Sequence, residues 1–402
     1  MFPPHIMGGA EMAAHSLALW LAEQGHRIHV LTSAHERNLT GLQNLSENLT
    51  VERHYFPSVY QIYRASERNP LMKVVWHAHD HYHLASERIT AGVIERFQPD
   101  LINTHSLQGI GYNLLRSIAK SGLPCVQTLH DFAFLCINVN RFKHGRECDR
   151  HHLPCQLSTL LKRAYLEKIE RLAFWSPSQA LLGPHRPHLP AHAEATAIPL
   201  PLQFEQPALQ PRSTSGPIRL LYVGQVTPWK GVGFLLEVVS QLPSQIPFQL
   251  EIIGGGSDLT PLMEKYGSDP RIHFRGKLPP EKVGAHMARA DLLLTPSLWF
   301  ENAPLVISQA IQIGLPVFAS RIGGLPELVE DGISGRLLAA GDSTAWSAAL
   351  SEVLTHPDLL DRWRAGAITL QPRFSQNALG ERVLELFRRT ISPVGQPALA
   401  AC

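Results

Sequence analysis

The 402-residue sequence contains no run of about 18 or more apolar residues, so no segment reads as a membrane-spanning helix. Its opening, Met1-Phe2-Pro3-Pro4-His5, has neither the basic start nor the apolar core of an export signal. Both absences point to a cytoplasmic chain, in which the acceptor-type triplets beginning at Asn38, Asn44 and Asn48 are chance matches. Charge is nearly balanced: the formal net value of +2 is too small to argue for nucleic acid, although it leaves room for a local basic patch. Internal repeats and low-complexity tracts are missing. Cysteine is scarce, at five residues, and Cys136, Cys148 and Cys155 fall in one irregular insertion with His144, His151 and His152. Their spacings, eleven and six intervening residues, lack the paired Cys-x-x-Cys of a structural zinc site. Reduced thiols lining a loop are expected there, with a metal-stapled loop as the alternative.

What is present suits a two-domain α/β protein. A chain this long with 44% hydrophobic residues exceeds one ordinary core and fits two domains of about 150 to 200 residues. Periodicity predicts helices over 10–24, 84–97 and 107–121 and strands over 27–32, 100–104 and 124–129. Strands alternating with helices imply parallel, doubly wound sheets. Prolines at 199, 201, 207, 211 and 217 mark 199–217 as a linker. The first domain is thus 1–198 and the second 218–376, with five βα-type units after the linker. Leu157 to Leu172 carries apolar residues at helical spacing beside Lys162, Arg163, Lys168 and Arg171. An amphipathic helix packed on its sheet is the expected reading, and peripheral contact with an anionic membrane the alternative.

The chemistry-bearing residues lie at strand ends. Glu301-Asn302-Ala303-Pro304-Leu305 follows a strand predicted to end at Thr295, with a helix beginning near 302–304. The free N–H groups of that helix start would face an anion, and the Glu301 carboxylate could take sugar hydroxyls. A Glu in that position is also a common helix cap. Upstream, the strand 218–223 breaks at Gly224-Gln225-Val226-Thr227-Pro228-Trp229-Lys230-Gly231 before a helical pattern from Val232. Glycines there let the backbone approach a phosphate that Lys230 could reach, whereas the bland reading is a solvated lysine. Gly254 and Gly255, after the strand 248–253, suggest several strand ends facing one crevice.

These motifs resemble family 4 of the retaining glycosyltransferases, over nearly the whole chain. Gly8-Gly9-Ala10-Glu11 looks like that family's glycine loop, and His105 and His130-Asp131 end two predicted strands where the family places cleft residues. The resemblance implies the GT-B fold, two Rossmann-like domains facing a cleft, with a last helix over 377–391 crossing back to the first domain and a tail over 392–402. It implies transfer from a nucleoside diphosphate sugar to a glycan or lipid-linked acceptor, with anomeric configuration retained and no metal or other cofactor required. By the same analogy, Glu301 binds the transferred sugar, Lys230 the diphosphate, Gln309 the ribose, and Gly8, Gly9, Glu11, His105, His130 and Asp131 form the opposite wall. Gly224, Gln225, Gly254, Gly255, Asn302, Ala303, Pro304 and Leu305 complete the donor site. Gln225 stands where the family commonly has Arg, which shifts leaving-group stabilisation toward Lys230 or Arg321. Gln309 stands where it often has a second Glu, and its amide can still accept one ribose hydrogen bond. Two other readings stay open, a nucleotide-sugar 2-epimerase on the same fold and, motivated by Gln225 and Gln309, a catalytically weak binding subunit.

A final expectation concerns the start. In the resembling fold the glycine loop follows a central first strand, yet none precedes Gly8 here. The strands 27–32 and 100–104 should then flank a gap, and the natural chain should begin upstream.

Overall fold

A computed structural model of the chain describes residues 2–4, 8–58, 69–143, 146–148, 151–204, 207–211 and 216–392. Met1, His5, His144 and the 393–402 tail lie outside the described residues. Two compact units emerge: Met1–Lys143, Cys148–Pro201 and Gln376–Cys402 form the first, and His144–Glu147 with Leu202–Ser375 the second.

The first unit opens with α1 (Gly9–Glu23), β1 (Ile28–Ala34), β2 (Gly41–Ser46) and β3 (Leu49–Tyr55). β1 pairs with β3 in parallel, Ile28 opposite Leu49, and β2 runs antiparallel along the other side of β3. Phe2 is buried with Ala18, Ala22, Leu49 and Val51 beneath this three-stranded sheet. Next come α2 (Pro70–His81), α3 (Leu84–Phe97), β4 (Ile102–Thr104), α4 (Leu114–Ser121) and β5 (Cys125–Thr128). The two-residue strands β6 (Phe142–Lys143) and β7 (Arg146–Glu147) precede α5 (Leu153–Leu166), β8 (Leu172–Ser176), α6 (Gln179–His185) and β9 (Glu194–Ala197). A second sheet, all parallel, has the order β4-β5-β8-β9. Among the described residues no strand joins it to the β1-β3-β2 sheet.

Two helices differ from expectation. Residues 107–113 turn before α4 starts, because Asp80 accepts the Gly109 N–H (2.7 Å) and Asn113 accepts the His83 N–H (2.9 Å). α5 begins earlier than expected, with Pro154 in its first turn, and ends at Leu166. Ile169 and Leu172 belong to the approach and start of buried β8, so apolar spacing ran on across a helix end into a strand.

The second unit is regular: β10 (Ile218–Val223), α7 (Val232–Ser240), β11 (Phe248–Ile253), α8 (Leu259–Tyr266), β12 (Ile272–Gly276), α9 (Pro280–Arg289), β13 (Leu292–Thr295), α10 (Leu305–Gln312), β14 (Val317–Ser320), α11 (Leu325–Leu328), β15 (Gly335–Leu338), α12 (Ser343–Thr355) and α13 (Asp358–Leu370). α14 (Gln376–Ile391) returns to the first unit, where the Trp20 indole N–H donates to Asn377 Oδ1 (2.9 Å). The six strands of the second unit, one more than expected, are all parallel in the order β12-β11-β10-β13-β14-β15. Successive residues of β10 point to opposite faces. Leu220 joins Leu235, Leu250 and Trp346 on one side, while Leu221 joins Leu293, Ile307 and Val317 on the other. Burial on both faces explains why these strands read as continuous apolar runs.

Candidate functional site at the strand ends

The strand order reverses between β10 and β13, and in a doubly wound sheet the crevice at that point, beyond the carboxyl ends, is where ligands bind. Lys230 lies on the loop after β10 and Glu301 on the loop after β13. The structure brings them together: Lys230 Nζ lies 2.6 Å from Glu301 Oε1. Two neutral donors share that oxygen, Ser297 Oγ at 2.8 Å and Trp299 Nε1 at 3.0 Å. Glu301 is buried, whereas the Lys230 side chain retains 22% exposure.

Two glycines lock these loops. Gly231 has φ 75°, and a Cβ on it would stand 1.9 Å from the Pro296 carbonyl oxygen, so only glycine lets the Lys230 loop touch the loop after β13. Gly323 has φ 57°, and a Cβ there would meet the Glu301 carbonyl oxygen at 2.1 Å, the same oxygen that accepts the Gly324 N–H at 2.8 Å.

Around this pair the other donor-side residues take distinct places. α10 begins at Leu305, one to three residues later than expected, with Pro304 as its cap and Asn302 and Ala303 half-buried ahead of it. Gln309 is half-buried on that helix. Gly224 donates to Ile253 O and Gly254 to Gly276 O, while Gly255 O accepts from Val226, so the two glycine turns are stitched together. Gln225 is exposed, and its carbonyl accepts the Tyr222 hydroxyl at 2.7 Å. Arg321 is held by Asp331 Oδ2 (2.6 Å) and the Leu337 carbonyl (3.2 Å), so its charge is committed outside the Lys230–Glu301 pair. Sequence reasoning missed Ser297, Trp299 and Trp229, whose ring packs 5.7 Å from Trp299. Two tryptophans flanking the Lys and Glu motifs were the available signal.

In the first unit, His105 Nδ1 and His130 Nε2 are 2.8 Å apart, the rings inclined by 22°. Burial lowers the His130 pKa to about 4, and burial followed by the charge of His130 pushes His105 well below its ordinary value. Both are therefore neutral at pH 7, with one ring N–H donating to the other's lone pair. Asp131 Oδ1 caps the Ala133 N–H (2.7 Å), and burial raises its pKa to about 6. Glu11 proves to be a helix cap: its Oε2 accepts the Gly8 N–H at 3.0 Å at the mouth of α1, where Gly8 and Gly9 are exposed.

Cys136 and Cys155 are buried and Cys148 half-buried, all as free thiols. His151 turns to the Leu135 carbonyl (2.8 Å) and Thr159, His152 is exposed, and among the described residues no three His, Cys, Asp or Glu side chains are disposed to hold a metal. Among them, too, no helix is long and apolar enough to cross a membrane.

Two family models match this chain: glycosyl transferases group 1 over residues 207–369 and glycosyltransferase family 4 over residues 7–173. The chain belongs to the group 1, family 4-like glycosyltransferases. Its family relatives include the MMP alpha-(1->4)-mannosyltransferase of Mycolicibacterium hassiacum, 26% identical over 98% of this chain and 97% of that protein. The sucrose-phosphate synthase of Thermosynechococcus elongatus shares the fold, with a TM-score of 0.71 and 20% identity over 95% of this chain and 93% of that one. Anabaena HepE, solved in complex with UDP, aligns with a TM-score of 0.67 and 17% identity, covering 96% and 98% of the two chains. As in this glycosyltransferase family generally, the fold is GT-B, with two Rossmann-like units.

Proposed function

We propose that this glycosyltransferase moves a sugar from a nucleoside diphosphate sugar to a glycan or lipid-linked acceptor in cell-envelope or exopolysaccharide synthesis, retaining the anomeric configuration and needing no metal. The observation that carries the reading is the Lys230–Glu301 pair at the switch point of the second sheet. The UDP held by HepE, a protein of the same fold, supports a nucleoside diphosphate as the leaving group. The named activity of the Mycolicibacterium relative supports sugar transfer.

As the bond between the anomeric carbon and the phosphate oxygen breaks, negative charge grows on the diphosphate and positive character on the carbon. Lys230 swings from Glu301 to the diphosphate, with the N–H groups before α10 beside it. Glu301 then accepts hydroxyls of the transferred sugar, and Gln309 one ribose hydroxyl. Gly224, Gln225, Gly254 and Gly255 line the backbone cradle. On the acceptor side His130 positions the sugar as a neutral donor, with His105 and Asp131 fixing its loop and Gly8 and Gly9 forming the wall. The acceptor oxygen bonds to the anomeric carbon on the face the phosphate leaves, and its proton passes to the departing phosphate oxygen, so no protein base is obligatory.

A thermal-shift panel of nucleoside diphosphates and nucleotide sugars, followed by product analysis, tests the reading. A melting shift with at least one donor and transfer with retention are expected. Free nucleoside diphosphate without a glycosylated product would favour the epimerase, and no shift with any donor would favour a binding subunit of another kind.

A further inference from the structure

α5 is packed inside out. Its buried face is Cys155, Ser158, Thr159, Lys162 and Leu166, and the polar members find partners there. Ser158 Oγ meets His81 Nε2 at 3.0 Å, Thr159 Oγ1 donates to the Phe134 carbonyl at 3.0 Å, and Lys162 Nζ donates to the Ala133 carbonyl at 2.5 Å above the Tyr112 ring. The leucines consequently face water: Leu153 is 67% exposed, Leu157 55%, Leu160 61% and Leu161 50%. These sit at i, i+4, i+7 and i+8, one continuous stripe of the helix. α2, joined to α5 through His81 and by the Tyr165 hydroxyl on the His81 carbonyl, adds exposed Leu71, Val74 and Val75. Scattered exposed apolar residues need no explanation, but seven aliphatic ones on two adjoining helices do.

The charges around the stripe indicate what covers it. α5 contains no acid, and the sole acid of α2, Asp80, is buried. At the rims Lys73 and Lys168 outnumber Glu170, while Arg163 and Glu167 pair with each other at 2.7 Å. A positive rim repels a second copy of itself and attracts an anionic surface. The stripe itself is aliphatic, and a leucine face beside lysines is the pattern of a helix lying in the bilayer interface. We infer that the α2–α5 face docks on an anionic lipid bilayer, with the leucines entering the acyl boundary and the basic rim on the headgroups. This rests on the proposed lipid-linked acceptor only for its biological sense, since the face exists whatever the enzyme transfers.

The test is co-sedimentation of the full chain with vesicles of phosphatidylcholine alone or mixed with phosphatidylglycerol, beside the double variant Leu157→Asp/Leu160→Asp. Both leucines are exposed, so the variant should keep its melting temperature and its melting shift with nucleoside diphosphates. The wild type should bind the mixed vesicles, less so as salt is raised, and the variant should lose at least about 10-fold in partition. Lys73→Ala/Lys168→Ala should weaken binding to mixed vesicles by several-fold while leaving the fold intact. Failure of the wild type to bind mixed vesicles, or equal binding by Leu157→Asp/Leu160→Asp, would overturn the inference. So would a wild-type dimer in analytical ultracentrifugation that this variant converts to monomer, since the stripe would then face a second copy. Vesicle binding without donor turnover would leave the docking face standing and defeat only the proposed function.

Discussion

The Lys230–Glu301 pair predicts an asymmetry that a mere surface salt bridge would not show. Among the described residues, Lys230→Ala leaves a buried carboxylate with Ser297 and Trp299 to hold it, whereas Glu301→Gln leaves an ammonium that reaches water through its remaining exposure. Removing one partner of a fully buried pair costs about 3–5 kcal/mol. The two surviving donors offset part of this for Glu301, so Lys230→Ala should destabilise by about 2–3 kcal/mol. Glu301→Gln should cost about 1 kcal/mol or less, since exposure discounts the unpaired ammonium. For a unit of this size 1 kcal/mol corresponds to roughly 2–4 °C, so the first variant should melt several degrees below the second. Nucleotide binding should move differently. Without Glu301 the ammonium is free for phosphates, so Glu301→Gln should bind nucleoside diphosphate as tightly as wild type or more so. Lys230→Ala should lose a charge-assisted bond of about 1.5–3 kcal/mol, about 10- to 100-fold in affinity. Both should lose about 10²–10³ in transfer rate. Calorimetric melting, titration of nucleoside diphosphate and initial rates on the two variants measure all three effects. If Lys230→Ala is as stable as Glu301→Gln and binds nucleotide normally, the pair is neither buried enough nor close enough to the phosphates for this reasoning to stand.

Other perturbations probe separate residues. His130→Ala should reduce transfer by about 10²-fold while the affinity for nucleoside diphosphate stays at the wild-type level, and a parallel loss of both would move His130 out of a sugar-positioning role. Gln225→Arg, at an exposed position beside the Lys230 loop, should tighten nucleotide binding in low-salt titration, and an unchanged affinity would place the side chain outside the site. His185→Phe tests acid stability. The ring stacks on Phe132 at 5.6 Å, Nδ1–H donates to the Leu181 carbonyl, buried Nε2 has no hydrogen-bond partner among the described residues, and burial lowers its pKa to about 4 from 6.5. A depressed folded pKa gives stability present above pH 6.5 and lost as pH falls toward 4, because the unfolded chain takes the proton first. His185→Phe should therefore be slightly less stable than wild type at pH 8 and gain about 2 kcal/mol relative to it by pH 5, a shift read by denaturant titration at the two pH values.

The second unit was legible from sequence because its central strands β13 and β14 are buried on both faces and every phosphate-side loop carries its own glycine or proline signal. Lys230 and Glu301 stood out for that reason, but their pairing did not, since nothing in spacing says that two loops 71 residues apart share one oxygen. Glu11 has a local role that its spacing announces: three residues after the N-cap Gly8 it is a capping residue, and its side chain accepts the Gly8 N–H. Arg321 looked like a spare cation because its counter-ion, Asp331, is supplied by a later turn.

α5 marks the deeper limit. Periodicity finds the apolar stripe of a helix without saying which side the protein occupies, and the default, leucines inward, fails here because the interior beneath α5 is polar. His81, the Phe134 and Ala133 carbonyls and Asp80 all need partners, and burial raises the Asp80 pKa to about 7 and lowers that of Lys162 to about 8. Turning the leucines in would leave His81 and the two carbonyls without these partners, at about 1–3 kcal/mol each, and would part Asp80 from the Lys162 charge. The orientation of the helix thus follows polar demand from beneath, and the exposed leucines are its consequence.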